Sequence, residues 1–334
     1  MSRRGFMCAG CWTTDRIKTI DRWPDEEELA IISDEERQGG GSAHNVGIDL
    51  RKLDPSLPVS TVGMLGHDQD GDFLLQKAME QNIDVAQLKR TGHQATSYSD
   101  VMTVSGTGKR TFFHHTGSND CLLPAHFDFT KDNSRFLHLG LLSVQAGMDA
   151  NNESGGNGWS QVLQTAQQHS LSTSIEMVSV DPVRNRELVA PCLPYIDYLI
   201  VNDHEIGGLA DTPTLHQNKT IVDNCVAAAE TVLNAGKMRL VVVHYPEGAI
   251  CLTRDGQRYL SDSYAVPKDR IKSTVGAGDA FAAGFLYAMH ENWEIDEALK
   301  LAHAVAATSL LSFSAVGAIQ SVQQCLTFAQ STTA

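Results

Sequence analysis

Long apolar runs are missing from this 334-residue sequence. None approaches the roughly 18 residues that cross a bilayer, so no membrane partner is expected. An excess of basic charge is missing too. Lys and Arg number 26 against 40 Asp and Glu, which gives a formal net charge of -14 and a pI near 5.3. A protein that grips a phosphate backbone needs a basic footprint, so no nucleic-acid partner is expected either. A nucleotide is not excluded, because a glycine-rich helix start binds phosphate without a basic surface. Arg3 and Arg4 are not followed by the apolar stretch of a signal peptide. The seven cysteines are odd in number and irregular in spacing. That pattern suits a reducing compartment, and a cytoplasmic location is expected. Cys8-Ala9-Gly10-Cys11 has redox or metal spacing, but no second pair follows. Buried structural thiols are the expectation there. No internal repeat or flexible linker divides the chain, so residues 1–334 read as a single domain.

What is present centres on Ser273-Thr274-Val275-Gly276-Ala277-Gly278-Asp279-Ala280-Phe281. Apolar residues then run at helical spacing from Ala280 to Met289, with Ala282, Ala283 and Gly284 small enough for close packing. A loop turning into a buried helix at 276–279 exposes N–H groups that have no intrahelical partner. The dipoles of that helix add positive potential at its start. Such a place suits a phosphate or a developing oxyanion. Asp279 has two readings there. It is an ordinary first-turn cap, or it takes a proton from an attacking group.

Gly276, Ala277, Gly278 and Asp279, with Thr274 before and Phe281 and Gly284 after, resemble the C-terminal signature of the ribokinase-like (PfkB) carbohydrate kinases. The resemblance implies an anion hole of small residues for the transferred phosphoryl group and an Asp279 base. It implies ATP and Mg²⁺ as cofactors and a small sugar as partner. The implied fold is α/β: a three-layer, doubly wound, mostly parallel sheet with a small β-sheet lid over about 12–38 and 92–117. Lids of this family often pair, so a homodimer through the lid is also implied.

The rest of the chain can be read beside that resemblance. Gly5 to Gly10 reads as a first strand, followed by Trp12, Thr13, Thr14 and Asp15. Ligands of open α/β sheets sit beyond the carboxyl ends of strands. Asp15 is either a turn residue or, as the resemblance implies, a sugar ligand with Thr13 beside it. Trp12 is either core or a ring that stacks on a base, which would favour a nucleoside kinase. Residues 16–38 are charged, with a short strand expected at Leu29 to Ile32. Gly39-Gly40-Gly41 is followed by Asn45. A dinucleotide fingerprint needs glycine where His44 stands, which weakens a dehydrogenase reading. The resemblance instead implies that Gly40, Gly41 and Asn45 face the sugar. His44 departs from the small residues usual there.

Val59 to Met64 reads as a strand, Asp68 as a cap or turn residue, and Phe73 to Gln81 as a helix. Alternation around Val101 and Thr103, a tip at Gly106-Thr107-Gly108 and the run 111–115 read as a hairpin. His114 and His115 would point to opposite faces, which suits no shared metal. Strands are expected at 136–142, 173–180, 198–201 and 240–244, and helices at 159–169 and 298–311. Asn202 and Glu205 stand at capping-box spacing. The resemblance implies that they also organise Mg²⁺, through water. It further implies nucleotide contacts at Gly248 and Thr274, although His244 and Pro246 depart from the usual nucleotide turn. Ser273 supplies no charge for a monovalent cation, so potassium activation is expected to be weak or absent. A sensor of the same fold that binds without turnover is the remaining alternative. The complete Gly-Ala-Gly-Asp stretch argues against it.

Overall fold

The computed structural model describes residues 3–153, 155–179 and 181–332. The chain opens with β1 (Phe6–Gly10), β2 (Thr13–Ile20) and β3 (Ile32–Gly40), and continues into α1 (Ser42–Leu53). Then come β4 (Val59–Gly66), α2 (Gln69–Glu80), β5 (Asp84–Thr91), β6 (Tyr98–Val104) and β7 (Arg110–His115). They are followed by β8 (Phe136–Leu142), α3 (Ala146–Asp149), α4 (Gly158–Gln168), β9 (Ser172–Met177) and α5 (Pro182–Val189). Next are β10 (Tyr198–Asn202), α6 (Asp203–Ala210), a short hairpin of β11 (Leu215–His216) and β12 (Lys219–Thr220), and α7 (Val222–Ala235). The last elements are β13 (Leu240–Tyr245), β14 (Gly248–Thr253), β15 (Arg258–Asp262), α8 (Ala277–His290), α9 (Ile295–Ser309) and α10 (Val322–Thr332).

Among the described residues nine strands form the main sheet, in the order β15-β14-β13-β10-β9-β8-β1-β4-β5. From β13 to β5 every neighbouring pair is parallel, and β14 and β15 add an antiparallel edge. The chain moves outward from β1 to β4 and β5, then returns to β8 and moves outward the other way. The sheet is therefore doubly wound, with its switch between β1 and β8. A parallel sheet is covered on both faces, which is why its strands read as near-continuous apolar runs. All five residues of β1 are buried, and they alternate between two cores. Phe6 and Cys8 join α1, α8, α9 and α10 on one face. Met7 and Ala9 join α4 and α7 on the other.

A separate sheet has the order β3-β2-β6-β7. Its β2–β3 and β6–β7 pairs are antiparallel, and its central β2–β6 pair is parallel. The strand expected at Leu29 to Ile32 starts only at Ile32 and runs on to Gly40. Leu29 and Ile31 lie outside it and are exposed. The charged run 33–38, with no apolar face to signal a strand, is an exposed edge, and edges carry charge that discourages further pairing. Trp23 stacks parallel on Phe113 of this sheet.

Other boundaries shift for local reasons. Helix α2 begins four residues before the expected Phe73, because Asp68 caps it by accepting from the Gly71 N–H at 2.8 Å. Its polar first turn hides the start from an apolar-period reading. The strand expected over 173–180 ends at Met177, and residue 180 lies outside the described residues, as do residues 1, 2, 154, 333 and 334. Helix α9 starts at Ile295 rather than Ala298, with Asp296 and Glu297 in its first turn.

Gly284 is where α8 and α9 touch. A β-carbon there would lie 2.9 Å from the Ala302 Cα and 3.0 Å from Val305 Cγ2. Gly284→Val is expected to lower stability by about 1–3 kcal/mol, the usual cost of overpacking. A urea midpoint equal to the parent's would show that the two helices can part without cost.

Candidate active site

Helix α8 starts bare. Its N-cap, Gly276, has φ 81°, and no side chain among the described residues caps the helix. The left-handed turn requires glycine, and a β-carbon would also fall 2.5 Å from Ala315 Cβ. The Ala277 N–H makes a long 3.3 Å bond to Thr274 O. The N–H groups of Gly278 and Asp279 have no acceptor among the described residues. Asp279 does not cap the helix. Its Oδ2 instead accepts from Asn45 Nδ2 at 2.8 Å, across 234 positions of sequence. Of the two sequence readings, the cap is therefore the one that fails.

Behind Asp279 stands a second carboxylate that sequence reasoning missed. Glu176, on β9, accepts from Ser42 Oγ at 2.6 Å and lies 3.0 Å from His138 Nε2. His138 Nδ1 meets Ser174 Oγ at 2.9 Å. Burial, then the Glu176 charge and a hydrogen bond with Glu176, push the Asp279 carboxyl well above the usual carboxylate range. Burial also raises Glu176 and holds His138 down at about 4. The sequence did carry a faint signal: a histidine inside the apolar run Phe136–Leu142 and a glutamate inside a buried strand. Buried polar groups of this kind need partners.

Glu176, Asp279, Gly276, Gly278, Asn202 and Glu205 line one cavity of about 150 Å³. Asn202 and Glu205 form the capping box of α6. Asn202 Oδ1 accepts from the Glu205 N–H at 2.8 Å, and Glu205 Oε2 accepts from the Asn202 N–H at 3.0 Å. Glu205 Oε1 also accepts from Ser179 Oγ at 2.6 Å. Capping and cavity lining therefore coexist in the same two side chains. Their donor set is all oxygen, which fits a hard cation held through water. Among the described residues no group of three or more His, Cys, Asp or Glu is arranged to hold a metal by itself.

A larger cavity of about 600 Å³ adjoins the same helix start. Thr274, Ala277, Gly278, Phe281, His244 and His303 are among its walls. Its size suits a nucleotide-sized ligand. His244 lines both cavities and packs on Phe281 with ring centroids 5.0 Å apart. Gly248 does not line it. That glycine sits in β14 opposite Asp262, and a β-carbon there would meet Ser261 O at 2.5 Å, so strand packing explains it. Ser273 is buried, and its Oγ accepts from the Val275 N–H at 3.0 Å.

On the other side of Asp279 lie β2 and the start of α1. A β-carbon on Gly40 would overlap the Asp15 carboxylate, and one on Gly41 (φ 89°) would reach 2.5 Å from Cys11 O. The two glycines thus let the chain close over Asp15 and Cys11. Burial raises Asp15 to about 7, the Asp279 charge adds to that, and a Ser99 hydrogen bond and Arg110 oppose it. Thr13 is buried, and its Oγ1 accepts from Ser97 Oγ at 3.0 Å, which leaves its own O–H available as a donor. Trp12 is fully buried and donates from Nε1 to Thr61 Oγ1 at 3.0 Å. It is core and offers no face to a ligand. Cys8 and Cys11 are both buried, and burial pushes both thiols up. His114 meets Ser99 Oγ, whereas His115 stacks on Tyr98.

The sequence pattern of the pfkB family carbohydrate kinases matches residues 9–321. Mouse ketohexokinase is 25% identical over 312 residues, covering 92% of this chain and 96% of that protein. A ribokinase of Lactococcus lactis is 22% identical over 315 residues, covering 94% and 93%. The structure of Arabidopsis thaliana ribokinase complexed with ribose and ATP superposes with a TM-score of 0.80 at 19% identity, over 99% of both chains. This chain therefore has the ribokinase fold and belongs to the pfkB family of carbohydrate kinases.

Proposed function

We propose that this kinase transfers the γ-phosphate of ATP to a hydroxyl of a small sugar or sugar derivative, with Asp279 as the base. The observation that carries the reading is the Asp279 carboxylate. It is held by Asn45 at an uncapped helix start and leaves the adjacent amides without acceptors. A carboxylate repels an anion, so its presence in an anion cradle needs a second purpose, and proton abstraction supplies one. On this reading the amides of Gly278 and Asp279, with that of Ala277, receive the phosphoryl oxygens. The Arabidopsis ribokinase structure was obtained with ribose and ATP, which supports the same pair of ligand classes here.

The acceptor sugar would lie against Asp15, Gly40, Gly41 and Asn45, under the small β2–β3–β6–β7 sheet. Thr13, next but one to Asp15 on β2, would offer the sugar its remaining O–H donor. ATP would occupy the larger cavity beside Thr274 and His244. Asn202 and Glu205 would hold Mg²⁺ through water. When bound, that ion would neutralise phosphate charge. Phosphoryl transfer is mostly positioning and charge stabilisation, so closing the small sheet as a lid would matter as much as the base. The burial of Trp12 removes the feature that would have favoured a nucleoside acceptor.

The test is an ADP-release screen over sugars, sugar phosphates and nucleosides. A sugar or sugar derivative is expected to be turned over in preference to nucleosides. Turnover confined to nucleosides, or ADP release with none of them, would remove the proposal.

Asp15 gives a pH prediction. Its ordinary value of 3.8 is raised to about 7, so its ionised fraction grows across neutrality. A charged carboxylate is the stronger acceptor for sugar hydroxyls. The acceptor KM is therefore expected to fall as pH rises through 7, and to be high and flat in Asp15→Asn. A parent KM that does not move with pH would contradict this role.

A further inference from the structure

His44 is a large ring in a crowded place, and the proposed chemistry makes no direct use of it. It is 1% exposed, on the first turn of α1. It meets Trp12 edge-on, with ring centroids 5.3 Å apart at 88°. It also fills the space over Gly39, where a β-carbon would overlap Nε2. Among the described residues the ring makes one polar contact, between Nδ1 and Asn45 Oδ1 at 2.9 Å. Nε2 is buried with no partner among the described residues.

The proton on this ring can be assigned by elimination. Asn45 Nδ2 donates to Asp279 Oδ2, which fixes the orientation of the amide. Asn45 Oδ1 then can only accept, so the proton of His44 sits on Nδ1. Burial holds the imidazole down at about 4, so at neutral pH it carries a single proton. With Asp279 ionised, as its role as a base requires, turning the amide over would set Oδ1 against a carboxylate that offers no proton. It would also move the imidazole proton to Nε2, where there is no acceptor. A buried donor left unpaired gives up its hydrogen bond to water with nothing in return, so this arrangement is disfavoured.

We propose that His44 is a positioning residue for phosphoryl transfer: its Nδ1–H locks the Asn45 amide so that Nδ2 faces Asp279 and holds the carboxylate in place. The donated chain runs from His44 to Asn45 to Asp279. The ring never touches substrate and acts only through its neighbour. This inference rests on the kinase reading.

The test uses the full chain in two ways. In ¹⁵N-labelled protein at neutral pH, the His44 resonances are identified by their loss in His44→Phe. They are expected to show a protonated Nδ1 and a bare Nε2. A proton on Nε2 would overturn the proposal without any need for turnover. The kinetic arm also uses His44→Phe, which keeps the ring against Trp12 and Gly39 but removes the donor. Its kcat is expected to fall about tenfold, the scale of one hydrogen bond, with the ATP KM kept, the circular dichroism spectrum that of the parent, and the melting temperature lowered by only a few degrees, because the buried Asn45 Oδ1 loses its donor. In an Asn45→Ala background the same change is expected to cost nothing further. An unchanged kcat, or an equal loss in both backgrounds, would overturn the proposal. An Nδ1–H tautomer in a protein that phosphorylates no acceptor would remove the kinase reading, and the role with it, while leaving the contact intact.

Discussion

The contact on which the site depends is the hydrogen bond from Asn45 to Asp279. It joins the starts of two helices, α1 and α8, that are far apart in the chain and side by side against the same face of the sheet. Each helix start is shaped by glycine, Gly41 before one and Gly276 before the other, both at positive φ. With those turns in place, the amide of one helix reaches the carboxylate of the other. Asp279 is thereby diverted from capping its own helix, and the exposed N–H groups beside it keep their capacity to bind an anion.

This arrangement gathers carboxyl groups in a confined space, where each makes ionisation of the others harder. Asp279, Glu176 and Asp15 are all raised by burial, and the Asp279 charge adds to the rise at Asp15. Asp49, on the buried face of α1, has both carboxylate oxygens unpartnered among the described residues and is raised well above its ordinary value. Charges so close at low dielectric repel strongly. Resident donors from Ser42 and Asn45 offset part of this. On the proposed reading, a polyphosphate entering here depends on free amides and a divalent ion, because the side chains nearest the transfer point are acidic.

The sequence made some of this legible and hid the rest, for physical reasons. The small-residue stretch around Gly276–Asp279 announced the start of a buried helix, and the apolar strands announced a covered parallel sheet. Both are local patterns. The strand at 32–40 did not show itself because an exposed edge has no apolar face. Helix α2 hid its first turn in polar residues. Glu176, His138 and Ser42 come from three elements distant in sequence, and only the strand order brings them together. Asn202 and Glu205 were ambiguous in sequence because the same spacing serves a capping box and a cavity wall, and here it serves both. His44 looked like a departure from pattern, and its one polar contact explains it only once Asn45 is seen to turn toward Asp279.

The central claim is that the Asp279 carboxylate takes the hydroxyl proton during transfer. Replacing it with the isosteric amide tests this most directly, because the amide side chain keeps the volume and loses the basicity. Turnover of Asp279→Asn on the accepted sugar is expected to fall by about 10²–10⁴-fold, with ATP affinity close to that of the parent. Turnover within a few-fold of the parent would contradict the account.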